Sequence, residues 1–128
     1  MIFYHTMTNG DYTNTMLHHL NGLFGDKWSL VVLNTIYSHD NGVSVRFTDI
    51  QKELNGCSRK VLSQTLKNLM DNELVNRVAF PEVPPRVEYS LTEDGKGLMP
   101  ALHAMVDWTN SHVNRTTSVK CEDATANG

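Results

Sequence analysis

The order of patterns along this chain predicts a mainly α fold with a small β-hairpin (α+β), and three observations carry the prediction. Two short amphipathic helical patterns follow one another between Arg46 and Leu69, Asn55-Gly56 supplies a sharp turn between them, and two strand patterns around a proline-rich tip come next. That sequence of elements is a winged helix-turn-helix, here flanked by N- and C-terminal helices whose apolar faces suit dimerisation.

Residues 1–14 read as an N-terminal arm. From Asn14 or Thr15, Met16, Leu17, Leu20, Leu23 and Phe24 recur at helical spacing, and Gly25 is placed to end that helix. Asp26 suits the N-cap of a second helix that runs through Trp28, Leu30, Val31, Val32, Leu33 and Ile36 to Tyr37. This segment is apolar nearly all round, so it belongs at the centre of the core. Asn41-Gly42 then turns the chain into a short strand, Val43 to Val45, able to join the hairpin as a third strand.

The first helix of the central module runs from about Phe47 to Leu54, with Phe47, Ile50 and Leu54 on one side. After Asn55-Gly56, Ser58 can accept the first free amides of a helix beginning near Arg59. At about 100° per residue, Leu62, Thr65, Leu66 and Leu69 share one arc with Val61 at its margin, and Lys60, Ser63, Gln64, Lys67 and Asn68 share the other. A duplex major groove has phosphates on its walls and hydrogen-bonding base edges on its floor, and this mixture of cations, amides and hydroxyls can meet both. An ordinary solvated helix face has the same composition. The position directly after the turn favours the duplex.

Leu74 to Phe80 and Arg86 to Leu91 read as strands, separated by Pro81-Glu82-Val83-Pro84-Pro85. Three prolines lack amide protons and fix their own φ angles, so this segment is expected to protrude as a stiff wing. Arg77 and Arg86 flank it and can hold phosphate; a cross-strand pair between Arg77 and Glu88 is the structural alternative. The last helix starts with Thr92 as N-cap, and Glu93 and Asp94 suit the positive end of its dipole. Gly95, Gly97 and Pro100 weaken or kink its early part. Leu98, Ala101, Leu102, Met105, Val106, Trp108 and Val113 cover more of its circumference than one neighbour requires, which points to a second partner. Residues 114–128 show no periodicity and read as a flexible tail.

Four segments, GDKW (Gly25 to Trp28), VRFTDI (Val45 to Ile50), NGCSRKVLSQTLKNL (Asn55 to Leu69) and PPRVEYSLTEDG (Pro84 to Gly95), together with Trp108, resemble the HxlR-type winged-helix transcriptional regulators over about Leu17 to Val113. The resemblance implies a homodimer on a pseudo-palindromic double-stranded operator, with the second helix of the module in the major groove and the wing along the backbone. The residues it assigns to DNA are Ser58, Arg59, Lys60, Ser63, Gln64, Lys67 and Arg86, to which Arg46 and Arg77 are added by position. Met16, Leu17, Leu20, Leu102, Met105, Val106 and Trp108 fall at its dimer interface. Three departures stand out. Thr15-Met16 occupies the place of a Cys-Pro that senses oxidants in several relatives. Glu73 stands where a glycine usually ends the recognition helix, so a left-handed residue there must be borrowed, with Asn72 the candidate. Cys57 replaces a buried aliphatic residue.

Cys57 has two readings: a small buried hydrophobe, or a redox sensor whose thiol is acidified by the adjacent helix N-terminus. Cys121 lies in the polar tail, and two cysteines without an export signal describe a reduced, cytoplasmic protein. No apolar run approaches the roughly 20 residues that cross a bilayer, so no membrane association is expected. The 128 residues suffice for one domain. The net charge of −3 is unhelpful to DNA binding, but seven Lys or Arg against six Asp or Glu between Arg46 and Glu88 leave the module near neutral. The six histidines show no metal-ligand spacing, and no phosphate loop or nucleophile elbow is present, so neither an enzyme, a cofactor nor a metal is expected. A small-molecule effector is left open, with His18, His19 or His103 as candidates to line a pocket between subunits. A winged helix used for protein contacts is the rival function.

Overall fold

A computed structural model describes residues 9–127, with the side chains of residues 9, 40 and 117–127 excepted. The fold is mainly helical with one three-stranded antiparallel sheet. Its helices are α1 (Asn9–Phe24), α2 (Ser29–Ser38), α3 (Phe47–Glu53), α4 (Arg59–Asp71) and α5 (Glu93–Asn127); its strands are β1 (Val45–Arg46), β2 (Val75–Phe80) and β3 (Arg86–Leu91). The chain divides into two units between Lys96 and Gly97, so most of α5 stands as the second.

The core of the first unit is built on α2, which meets α1, α3, α4 and β3. Val32, Leu33 and Ile36 from α2, Ile50 from α3 and Leu62, Leu66 and Leu69 from α4 are fully or almost fully buried. Each such side chain contributes about 1.5–3 kcal/mol through the apolar surface it removes from water. Two backbone amides, those of Trp28 and Ser29, donate to Asp26 Oδ2 at 3.1 and 3.0 Å, so Asp26 serves the start of α2 from just outside it. Partial burial pushes the Asp26 carboxyl up, but hydrogen bonds from the Ser29 hydroxyl and these amides outweigh it and hold the group below the usual carboxylate value.

The sheet order is β1-β3-β2, and the short first strand does join the hairpin, but two residues later than its sequence suggests. Asn41 and Gly42 both take positive φ (57° and 85°) in a single 3-10 turn. Val43 is left exposed, and the Ser44 hydroxyl donates to the Glu88 carboxylate instead of entering the ladder. Pairing then begins with Val45 opposite Tyr89 and Arg46 opposite Glu88. Any Cβ on Gly42 would lie 2.8 Å from Leu91 Cδ1, so the turn needs glycine for space as well as for φ.

Three ends differ from the sequence reading. Helix α1 begins at Asn9, inside the supposed arm of residues 1–14 and ahead of the expected start at Asn14 or Thr15; Asp11 sits in its first turn, and the Thr15 hydroxyl donates to the Asp11 carbonyl at 2.8 Å within the helix. The rest of the supposed arm, residues 1–8, lies outside the described residues. Helix α4 ends through Glu73 itself, which adopts φ 60°, while Asn72 keeps φ −93°. The Leu74 amide reaches the Leu69 carbonyl at 3.0 Å and the Glu73 amide the Met70 carbonyl at 2.9 Å, the paired bonds of a Schellman ending. Helix α5 continues to Asn127 where a flexible tail from residue 114 was expected. Residues 101–127 contain neither glycine nor proline, and the Thr109 and Thr116 hydroxyls donate to carbonyls one turn back, so nothing in the segment stops the helix. At its start, Thr92 Oγ1 accepts from the Gly95 amide at 3.0 Å, and a Cβ on Gly95 would fall 2.3 Å from the Leu74 carbonyl oxygen. Gly95 thus permits a close approach; it is not merely a weak helix former.

Asp26→Ala is expected to lower stability by about 1 kcal/mol at neutral pH, the ordinary cost of a lost helix cap. Because the folded pKa is depressed, that contribution is present above the unfolded value of about 3.9 and disappears as pH falls through the folded one. Urea denaturation of both proteins at pH 7 and pH 3 measures the difference. Glu73→Gly is expected to stabilise by roughly 0.5–1 kcal/mol, since a left-handed L-residue is strained and glycine is not; an unchanged thermal midpoint would contradict the assigned strain.

Candidate nucleic-acid interface

Helix α4 separates its two faces cleanly. The Ser58 hydroxyl accepts from the Val61 amide at 3.1 Å and fixes where the helix starts, hence which residues point inward. Leu62, Thr65, Leu66 and Leu69 are buried, whereas Arg59, Lys60, Ser63, Gln64, Lys67 and Asn68 are exposed. On that outer face Gln64 Nε2 donates to Asn68 Oδ1 at 3.2 Å, and Lys67 Nζ pairs with Asp71 at 2.9 Å. Exposed pairs at this spacing contribute under about 1 kcal/mol, so both can be exchanged for a better partner.

Beside this face lies a cleft of about 860 Å³, lined by Arg46, Phe47 and Thr48 at the head of α3, Arg59 and Ser63 on α4, Arg77 and Tyr89 on the sheet, and the wing from Glu82 to Val87. The Arg59 guanidinium sits 5.0 Å from the centre of the Phe47 ring, and that ring in turn lies 6.4 Å from Tyr89, tilted by 48°. The aromatic contact holds Arg59 without neutralising it.

The two wing arginines part company. Arg77 stands opposite Tyr89, and Val78 opposite Glu88, so the cross-strand Arg77–Glu88 pair does not form. The register differs by one residue from the one that pair needs, which turns the side chains to opposite faces. Arg86 is the one that meets Glu88: its Nε lies 3.0 Å from Glu88 and 3.3 Å from Glu82, with the guanidinium 4.0 Å from the Phe80 ring. That Nε is buried and in ion-pair range of both carboxylates without a well-aligned hydrogen bond to either. Arg86 therefore braces the wing from within, where the sequence reading gave it to phosphate. Glu82 and Phe80 were not singled out beforehand and Glu88 was matched with the other arginine, although strand alternation puts Arg86 and Glu88 on one face and carried the signal.

Cys57 is buried, and burial pushes its thiol up against a smaller opposing pull from the Lys27 charge. Burial thus favours the small buried hydrophobe over the acidified redox thiol. The side chain of Cys121 lies outside the described residues. Among the histidines, His39 Nε2 contacts Glu53 Oε1 at 2.5 Å and ties the end of α2 to α3. Among the described residues no group of three or more His, Cys, Asp or Glu can hold a metal, and no helix is long and apolar enough to cross a membrane.

Of the residues assigned to a dimer interface, Met16, Leu17 and Leu20 are exposed on α1. In the second unit Met105, Val106 and Trp108 are exposed, Trp108 to 62% and stacked on His112 at 4.9 Å. Leu102 is only 4% exposed and offers a partner little surface.

With this geometry in hand, comparison with known proteins is decisive: the HxlR-like helix-turn-helix pattern matches residues 23–117. The chain belongs to that family. This HxlR-like protein is 40% identical over 84 residues to an uncharacterised HTH-type transcriptional regulator of Methanothermobacter thermautotrophicus, covering 66% of this chain and 61% of the relative. It is 33% identical over 98 residues to the HTH-type transcriptional regulator YtfH of Escherichia coli, covering 77% and 75%. Among solved structures, the reduced form of the transcriptional regulator YodB from Bacillus subtilis matches with a TM-score of 0.61 and 28% identity, covering 81% of this chain and 94% of that one. The family is one of transcriptional regulators, not enzymes.

In a Cys121→Ser variant of this HxlR-like protein, Cys57 is expected to react with a colourless-to-coloured thiol reagent at least tenfold more slowly when folded than in denaturant. Equal rates would restore the reactive-thiol reading.

Proposed function

We propose that this HxlR-like regulator binds a pseudo-palindromic duplex operator as a homodimer, with α4 in the major groove and the wing along the backbone. The observation that carries the reading is the outer face of α4: Lys60, Ser63, Gln64 and Lys67 are all exposed and no apolar side chain lies among them. Val61, at the margin, is the nearest exposed aliphatic residue. A protein-docking surface would place apolar anchors at its centre, so this composition favours nucleic acid. Gln64 and Ser63 can meet base edges, while Lys60 and Lys67 supply charge to phosphate. Arg46, Arg59 and Arg77 extend the cationic surface toward the wing, and the braced Arg86 keeps the wing upright beside it.

The exposed Met16, Leu17 and Leu20 on one element, and Met105, Val106 and Trp108 on another, are larger apolar side chains than a monomer leaves in water without use. A twofold pairing through them brings two recognition helices to adjacent grooves, about 34 Å apart on one face of the duplex. The protein then works in the cytoplasm, with the DNA.

Gln64→Ala is expected to lose about 1–3 kcal/mol of discrimination between operator and random duplex, as one missing base contact does. Lys67→Ala is expected to weaken both duplexes alike and to reduce the slope of log K against log salt by about one per protomer. Anisotropy titrations of the duplex upstream of the protein's own coding region, at three salt concentrations, read both. Equal losses on specific and random duplex for Gln64→Ala would remove the base-reading role, and a complex of one chain per site in sedimentation would remove the dimer.

A further inference from the structure

The wing and the start of the helix-turn-helix are far apart in the chain, and the ladder between them is short: Val45 opposite Tyr89 and Arg46 opposite Glu88. Helix α3 begins at the next residue, Phe47. A strand of two residues fixes little by itself.

Side chains add a second connection at the same place. Glu88 stands in the central strand, half-buried, with Arg46 of β1 as its partner on one side and Val78 of β2 on the other. One carboxylate oxygen, Oε1, accepts from the Ser44 hydroxyl, on the segment that leads into β1 and α3. The other, Oε2, lies 3.0 Å from Arg86 Nε, whose side chain also meets Glu82 in the wing tip and Phe80 on β2. A single carboxylate thus joins the entry to the helix-turn-helix to the base of the wing.

Counted as charge alone, an anion near a phosphate-binding surface repels the duplex, and neutralising it tightens binding. Counted as a tie, it has the opposite effect. Arg86 alongside offsets the charge at close range, whereas removing the carboxylate leaves a half-buried guanidinium short of one partner. A wing set before binding also loses less conformational freedom on docking than one that must be ordered there.

We propose that Glu88 is a positioning residue for duplex binding: through Ser44 on one side and Arg86 on the other it locks the wing to the helix-turn-helix, so that both meet the duplex as one body. Glu88 acts through these partners and touches no DNA. The consequence for DNA rests on the proposed function; the lock does not.

The lock is tested first without DNA, by hydrogen exchange. In Glu88→Gln the wing amides between Phe80 and Val87 are expected to exchange at least fivefold faster, with those of α2 and α4 unchanged. Ser44→Ala, which alters no charge, is expected to speed the same amides at least twofold and serves as the second variant should Glu88→Gln not fold. Unchanged wing exchange, or an equal increase in α2 and α4, would overturn the lock. On the upstream duplex Glu88→Gln is expected to bind threefold to tenfold more weakly, although it carries one negative charge fewer. Its hydroxyl-radical footprint is expected to keep the major-groove protection and lose the flanking protection of the wing. Arg86→Gln is expected to match it, and the double variant to be no weaker than either single one, because one lock cannot be broken twice. Tighter binding by Glu88→Gln, or losses that add in the double variant, would overturn the positioning role. Faster wing exchange in a protein that binds no duplex would uphold the lock and remove the DNA reading; duplex binding with unchanged wing exchange would do the reverse.

Discussion

The burial of one arc of α4 against α2 is the constraint on which the rest depends. Leu62, Leu66 and Leu69 enter the core with Val32, Leu33 and Ile36, and a helix fixed by three side chains at this spacing has no freedom to rotate about its axis. Turning it by one residue would expose a leucine and bury Lys60 or Lys67, costing several kcal/mol in each direction. The polar outer face therefore owes its orientation to the apolar inner one. The Ser58 cap adds to this by fixing where the helical phase begins.

The wing is held by a different kind of interaction. A two-stranded ribbon with an extended tip has little apolar surface to bury, and β2 is exposed along most of its length. What stiffens it is Arg86, enclosed by Glu82, Glu88 and Phe80, together with three prolines that cannot join a ladder. A partly buried guanidinium between two carboxylates is costly to break, because either carboxylate or cation is then left without its partner. Charge that would otherwise be offered to phosphate is used to hold shape, while Arg46, Arg59 and Arg77 keep theirs without an ion-pair partner among the described residues. Rigidity and recognition are thus divided between residues of the same chemical type.

The position of the cysteine shows how two local effects compete. Cys57 is buried within the turn that joins α3 to α4, and burial pushes its thiol up against a smaller opposing pull from the Lys27 charge. A residue of this type in this place then packs as a small apolar group, in keeping with the aliphatic residues it replaces.

The sequence by itself determined the helix-turn-helix, its capping by Ser58, the central place of α2, the buried arc of α4 and the existence of the wing, because each follows from periodicity, glycine and proline within a dozen residues of chain. It also carried the family resemblance, in four segments whose spacing local physics preserves. Only the tertiary structure decided that Arg86 meets Glu82, Glu88 and Phe80 while Arg77 stands opposite Tyr89, that Glu73 accepts the strained φ Asn72 was expected to take, and that Arg46, Arg59 and Arg77 line one cleft. These depend on strand register, on the close approach of Gly95 to Leu74 and on the meeting of residues thirty apart. Such distances are set by packing the whole core at once, and no window of sequence contains them.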